Sequence, residues 1–286
     1  MNIKYFIIYC SPSGTTEHVA KHIEKTLKGL DVDVFLRDVG KENDRLFVLD
    51  QIKAAQDKAT NDEICLYVGT PVYGGHAVLP TITFLKKLCE SKNCFAVPFV
   101  TWGGVCSGVA LWEMGKKLLE KGYNLAAALK VGAVHSMLWQ SKNPVCQGHP
   151  DIDDDKIVNK LVAKVHKGLS ESNLQYLQLQ ELDYQPEMLG AELKKTTTET
   201  LMQILPKRTV NEEKCTQCGI CEQECPSDAI DMAPYPVFGK DCFGCFNCVR
   251  LCPENAIEAD LSVIKEHIKK RKESINEVPL TKAFLG

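Results

Sequence analysis

Cysteine is the residue through which this sequence could do chemistry, and it is unevenly spread: six of the fourteen precede Val210 and eight fall between Cys215 and Cys252. Those eight repeat one frame. Cys215, Cys218, Cys221 and Cys225 lead into Pro226, and Cys242, Cys245, Cys248 and Cys252 lead into Pro253. The echo continues past each proline, Ser-Asp-Ala229-Ile230 against Glu-Asn-Ala256-Ile257. Thiols three residues apart on a tight loop can turn their sulfurs to one side and offer three ligands to one [4Fe–4S] cubane. The fourth, ahead of proline, points into the other half and ligates the other cubane. This spacing assigns Cys215, Cys218, Cys221 and Cys252 to one cluster, and Cys242, Cys245, Cys248 and Cys225 to a second.

Two blander readings compete. Paired C-x2-C units also build tetrahedral zinc sites, but zinc uses two pairs separated by a loop, and a third cysteine in each short run argues against it. A disulfide framework needs an oxidising compartment, and the opening apolar stretch is too short for a secretory core. The expected location is the cytoplasm. Hydrophobic residues make up 44% of the chain and charged residues 25%, as in ordinary soluble domains. No apolar run approaches a membrane span. Between Asn211 and Glu258 nine acids face three bases, a local charge of −6 in a chain of −3. Such a segment repels nucleic acid and suits docking to basic protein surfaces.

The elements that must position these thiols are clearest in the first part of the chain. Ile3 to Cys10 reads as a strand buried on both faces. After Ser11-Pro12-Ser13-Gly14-Thr15-Thr16 a helix follows, Glu17 to Leu30, with apolar residues at Val19, Ala20, Ile23 and Leu27. A hydroxyl-rich loop opening a helix can hold phosphate through free N–H groups; it can equally be a plain Ser/Thr cap. The loop contains neither Lys nor Arg, and the Walker ending is missing. Further strands are expected at Asp31 to Arg37, Glu63 to Gly69, Cys94 to Val100 and Asn124 to Val134. Helices are expected at Glu42 to Ala59, Pro80 to Cys89, Val109 to Lys121 and Asp153 to Leu169. This alternation predicts an open parallel sheet with helices on both faces and a ligand site beyond the carboxyl ends of its strands.

The Ser-Pro-Ser-Gly-Thr-Thr turn, with Thr70-Pro71-Val72-Tyr73-Gly74-Gly75 and Thr101-Trp102-Gly103-Gly104 after the third and fourth strands, resembles a flavodoxin domain. With the cysteine repeat, nearly the whole chain is similar to the flavodoxin–ferredoxin fusion proteins of anaerobic bacteria and archaea, the EFR-type ferredoxin family. The resemblance implies a five-stranded doubly wound sheet in the order 2-1-3-4-5 and a small α+β ferredoxin domain holding two [4Fe–4S] clusters. It implies flavin mononucleotide (FMN) in the first domain. Ser11, Ser13, Gly14, Thr15 and Thr16 would hold its phosphate. Thr70, Pro71, Val72, Tyr73, Gly74 and Gly75 would flank one side of the ring, and Thr101, Trp102, Gly103 and Gly104 the other side and the pyrimidine edge. Glycines there let backbone groups approach the ring, and Tyr73 or Trp102 is expected to stack on it. Unlike many flavodoxins, the third loop has no acid before Glu113.

The expected domains are 1–169 for FMN, a linker at 170–209, 210–258 for the clusters, and 259–286 as helix and tail. Within the last, Leu261 to Lys272 reads as a basic helix packing against the acidic module, with the final dozen residues trailing on the surface. The long connection from Met137 to Asp155 emerges on the flavin side, where Trp139 could cover the ring or touch the cluster module. Cys106, the other early cysteines, His76, His135 and His149 read as structural. With no nicotinamide fingerprint, electrons are expected to come from and go to redox protein partners or another donor. The expected function is a low-potential electron carrier, with no catalytic residue singled out. Alternatives are a flavoreductase acting on a quinone or nitro compound, and a redox or oxygen sensor. A homodimer is one arrangement that could bring distant centres together.

Overall fold

The computed structural model describes residues 3–58, 63–91 and 93–286, the side chains of 198 and 199 apart. The first domain runs β1 Ile3–Tyr9, α1 Thr15–Lys28, β2 Val34–Asp38, α2 Glu42–Lys58, β3 Glu63–Tyr73, β4 His76–Ala77, α3 Leu79–Lys87, β5 Cys94–Trp102, α4 Ala110–Glu120, β6 Tyr123–Leu125, β7 Ala128–Gly132 and α5 Ile152–Ser170. The parallel strands stand in the order β2-β1-β3-β5-β7, the 2-1-3-4-5 arrangement expected. β5 is buried along its whole length, as a central parallel strand must be. One apolar layer packs the sheet against α2, α3 and α4, and the other against α1 and α5. α1 shows why these residues form a helix: Val19, Ala20, Ile23 and Leu27 make one buried stripe, with Glu17 in its first turn and Lys25 and Lys28 in its last.

Several expected boundaries move. The anticipated end of α2 at Ala59 lies outside the described residues. β3 runs on through Thr70-Pro71-Val72 to Tyr73, so most of the expected loop is strand, closed by a turn at Gly74-Gly75 onto β4. The fifth strand is broken into β6 and β7, both parallel to β5. Its break coincides with the Leu125 carbonyl turning to accept the Leu177 N–H at 2.8 Å.

That hydrogen bond belongs to the larger correction. The segment 170–209, expected as a linker, carries α6 Glu187–Lys195 and α7 Thr198–Ile204 and packs on the first domain. Leu177 and Leu182 join the core beside α4, and Leu193 is buried against Gly75.

The cysteine module comprises β8 Thr209–Val210, α8 Ile220–Gln223, β9 Ile230–Met232, β10 Pro236–Phe238, α9 Asn247–Leu251 and β11 Ile257–Glu258. β8 pairs antiparallel with β11, and β9 with β10. The sequence echo has a physical basis. Ala229 and Ala256 each donate a backbone N–H at 3.2 Å to the sulfur four residues earlier, Cys225 and Cys252. Asp228 and Asn255, residue types that tolerate the left-handed region, turn the chain just before them at φ 50 in each case. Ile230 and Ile257 are then buried.

Beyond the module, α10 Ser262–Ile275 does not lie on the acidic face as expected. Its Ile264 and Ile268 pack on Val105, Met137 and Leu138 of the first domain. The final residues do not trail: β12 Lys282–Phe284 pairs antiparallel with β7 and adds a further strand to the main sheet. Replacing Leu182 by Ala is expected to lower stability by about 2–5 kcal/mol in urea unfolding; a loss within about 0.5 kcal/mol, the surface value, would show that 170–209 is not core.

Candidate functional site

Three loops meet at the carboxyl ends of β1, β3 and β5, and they frame a cavity of about 590 Å³. Ser13, Thr15, Pro71, Val72, Tyr73, Gly74, Gly75, Thr101, Trp102 and Gly103 line it. The other expected residues do not. The Ser11 hydroxyl accepts the Glu17 N–H at 2.9 Å, Thr16 and Thr101 share a hydrogen bond of 2.7 Å, and the Thr70 hydroxyl donates to the Pro71 carbonyl and accepts from Val78 N–H. Gly14 begins α1 at φ 85 with open space where a side chain would be. Gly104 is packed against the Cys146 sulfur. Gly74, Gly75 and Gly103 likewise face Leu201, Leu193 and His135, so their small size serves protein packing as well as any ligand.

Trp102 is 1% exposed and its indole N–H has no partner among the described residues, although it lines the cavity. A buried donor of this kind costs stability unless something accepts from it; a heteroaromatic ring with acceptor atoms fits that need, and flavin is such a ring. His135 adds a second donor. Its Nδ1 accepts the Met137 N–H at 3.3 Å, which leaves the proton on Nε2. Burial pushes its pKa down to about 4. Beneath the phosphate-type loop, burial pushes Asp38 up to about 6, while N–H groups of Gly40 and Ser11 pull it back.

The remaining walls were not legible as such. α6, α7 and the turn between them contribute Leu193, Thr196, Leu201 and Met202, and α10 contributes Val263, Ile264, His267 and Arg271. Glu192 supplies the acid that the third loop lacks, paired with Arg271 at 3.1 Å. Glu113 is instead spent on His76, at 2.7 Å from its Nδ1. A buried ion pair pins the chain after α10: Glu277 lies 2.6 Å from Lys130 Nζ and accepts the Ser107 N–H. Of the long connection from Met137 to Asp155, Met137 lines the cavity and Trp139 does not.

The cysteine module forms the last wall. Phe243 and Gly244, which lie between Cys242 and Cys245, face the cavity, and the Phe243 ring centroid is 6.1 Å from that of Tyr73. Tyr73, Phe243 and Cys245 share one apolar cluster with Cys10. The module is held there at several points. Arg250 donates to the Pro12 carbonyl at 3.1 Å, bringing to the phosphate-type loop a cation that the loop itself lacks. Lys41 reaches Asp228 at 3.0 Å. Gly40 fits so closely that a Cβ would stand 2.2 Å from the Pro226 carbonyl oxygen.

Cys215, Cys218, Cys221 and Cys252 surround one small cavity, the grouping drawn from spacing. At the other site, burial pushes the Cys245 thiol up to about 12, and Cys242, Cys248 and Cys225 are close enough to raise it further. Each foursome thus joins three thiols of one run to the last thiol of the other. Sulfur-rich pockets of this kind, with N–H donors aimed at sulfur, suit iron–sulfur ligation. Arg208, unmarked by any spacing, donates to Cys242 Sγ at 3.0 Å.

Residues 208–231 match the family described as 4Fe-4S binding domain. Ferredoxin-1 of Chlorobaculum tepidum is 38% identical over 53 residues, which cover 16% of this chain and 86% of that protein. The chain belongs to the ferredoxins, fused to a flavodoxin-like domain. Its ferredoxin module is also similar to the polyferredoxin protein MvhB of Methanothermus fervidus, 38% identical over 64 residues; these are 22% of this chain but only 16% of that relative. A flavodoxin from the Archaea aligns over 58% of this chain and 99% of its own, at 19% identity and a TM-score of 0.42. The flavodoxin-like assignment stands on the strand order rather than on that likeness.

Two outcomes follow from the geometry of this fusion. Gly40→Ala should destabilise the docked ferredoxin module by about 1–3 kcal/mol, seen as faster hydrogen exchange at Phe243 and Gly244; unchanged exchange would mean that the seam is loose. The His135 ring should titrate near pH 4 by NMR rather than near its ordinary 6.5. The unfolded chain takes up this proton first as pH falls, so acidification from 6.5 to 4 removes stability, by about 3 kcal/mol at most.

Proposed function

We propose that this chain is a low-potential electron-transfer protein that passes electrons between redox partner proteins, two [4Fe–4S] clusters and one FMN. The observation that carries this reading is the Phe243-Gly244 wall. The loop bearing Cys242 and Cys245 borders the cavity framed by the flavodoxin-type loops. Electron tunnelling weakens steeply with distance, so a shared wall favours transfer within one chain, without domain movement or a second copy.

When bound, each cubane exchanges one electron and the flavin one or two. The eight cysteines Cys215, Cys218, Cys221, Cys252, Cys242, Cys245, Cys248 and Cys225 hold the clusters. Ser13 and Thr15, with the free N–H groups at the start of α1, receive the flavin phosphate. Trp102 and His135 would donate hydrogen bonds to the ring, while Tyr73 and Phe243 keep water out of the wall that the cavity shares with the Cys245 loop. The acidic ferredoxin surface meets basic partners.

A second reading, reduction of a small flat acceptor at the flavin, is favoured by one feature. The α7 and α10 wall opens to solvent at Ile204 and Val263, which are 72% and 67% exposed.

Anaerobically prepared protein should contain about eight irons and one flavin per chain. After mixing with a one-electron donor, cluster bleaching and flavin reduction should be coupled at a rate independent of protein concentration. Zinc in place of iron would overturn the cluster reading, and a rate that scales with protein concentration would overturn transfer within one chain. Saturable oxidation of the reduced protein by a small quinone would favour the second reading.

A further inference from the structure

The two cysteine foursomes are alike in sequence but differ in their electrostatic surroundings. Arg208 lies just before β8 and points its guanidinium at one of them. Nη1 is 3.0 Å from Cys242 Sγ and 4.0 Å from Cys248 Sγ. The side chain is fixed between two rings, 4.4 Å from the Phe238 centroid and 5.6 Å from that of Phe246. Phe246 occupies the place in its half that Gly219 occupies in the other. Both are left-handed, at φ 55 and 74. Glycine takes that conformation freely, whereas an aromatic residue takes it only at a steric cost. Phe246 is 1% exposed, and its ring is one of the two that hold the guanidinium.

The other foursome has no such partner among the described residues. Among the described residues, no Lys or Arg hydrogen-bonds the sulfurs of Cys215, Cys218, Cys221 or Cys252. The lining of their cavity carries Glu254 and no cation, and Cys218 is exposed.

We infer that Arg208 sets the direction of electron flow by holding the cluster site of Cys225, Cys242, Cys245 and Cys248 at a higher reduction potential than its twin. The inference rests on the proposed cluster assignment. Adding an electron adds negative charge to a cluster, and a fixed positive charge against its sulfurs stabilises that reduced form; net charge, hydrogen bonds to sulfur and exposure are the means by which proteins tune these potentials. The favoured site is the one beside the flavin cavity. An electron received at the more exposed site therefore moves downhill to the flavin-side site, leaving the first site oxidised by one electron and ready to accept again.

The test is an anaerobic redox titration of the full-length protein, followed by electron paramagnetic resonance, for the unmodified chain, Arg208→Gln and Arg208→Lys. The unmodified protein should show two separated cluster midpoints; one shared midpoint overturns the inference whatever the variants do. Arg208→Gln, poised at the upper midpoint of the unmodified protein, should show an about tenfold lower ratio of reduced to oxidised cluster. Its lower midpoint should stay put, and Arg208→Lys should retain most of the separation. Loaded clusters with both midpoints unmoved in Arg208→Gln would refute the role of Arg208. If Arg208→Gln fails to load, the Lys variant decides: loss of the separation despite the retained charge would also refute it. Absence of iron–sulfur signals from the unmodified protein would instead refute the cluster assignment beneath it.

Discussion

Gly40 and Pro226 meet backbone to backbone, with no room for a side chain between them. That contact limits how far the cysteine loops stand from the strand ends, and much else depends on it. Pro226 directly follows Cys225, so the close approach is made by a residue adjacent to a candidate ligand rather than by a distant surface loop. With the approach fixed, Arg250 can reach Pro12 and Lys41 can reach Asp228. The Phe243 ring can then close the cavity against Tyr73. Lys41 and Asp228 are both substantially exposed, so their pair adds little by itself. Apolar contact and the glycine fit carry the seam.

The cavity is built mainly of neutral groups. His135 is kept uncharged by burial, and Trp102 offers a donor without charge. Apart from the Glu192–Arg271 pair in the lining, a second ion pair stands one layer back, where Lys130 lies 4.9 Å from the Trp102 ring centroid while paired to Glu277. Burial works against the Glu277 carboxylate, yet Lys130 and Ser107 outweigh it and keep the group ionised. Such a pair is a weak source of net stability but is very costly to break singly. It fixes where the chain leaves α10, and so how that helix roofs the cavity.

Legibility in the sequence followed how local each signal was. The two cysteine frames could be read because their ligands sit three residues apart, and the parallel strands because each is a compact apolar run. Segment 170–209 hid its role: Leu177, Leu182 and Leu193 are isolated buried residues in a polar run, too few to form a periodic apolar stripe. β12 offers only Lys-Ala-Phe, of which Phe284 alone is buried. The charge of the basic helix points to the acidic module, whereas Ile264 and Ile268, one turn apart, direct it to Val105 and Leu138. Arg208 and Arg250 could not be found at all, since a lone arginine gives no sign of the sulfur or carbonyl it will meet.

The return of the chain to the main sheet alters what kind of fusion this is. Because α10 and β12 come after the last cysteine and are built into the α/β domain, the iron–sulfur unit is an inset with both its ends anchored, not a pendant on a flexible stalk. Such a unit has little freedom to wander, and one nick in its loops would leave both halves attached. Trimming the polypeptide from its carboxyl end would strip an edge from the sheet before reaching any ligand, so a fragment keeping every cysteine would already lack part of the platform on which they rest.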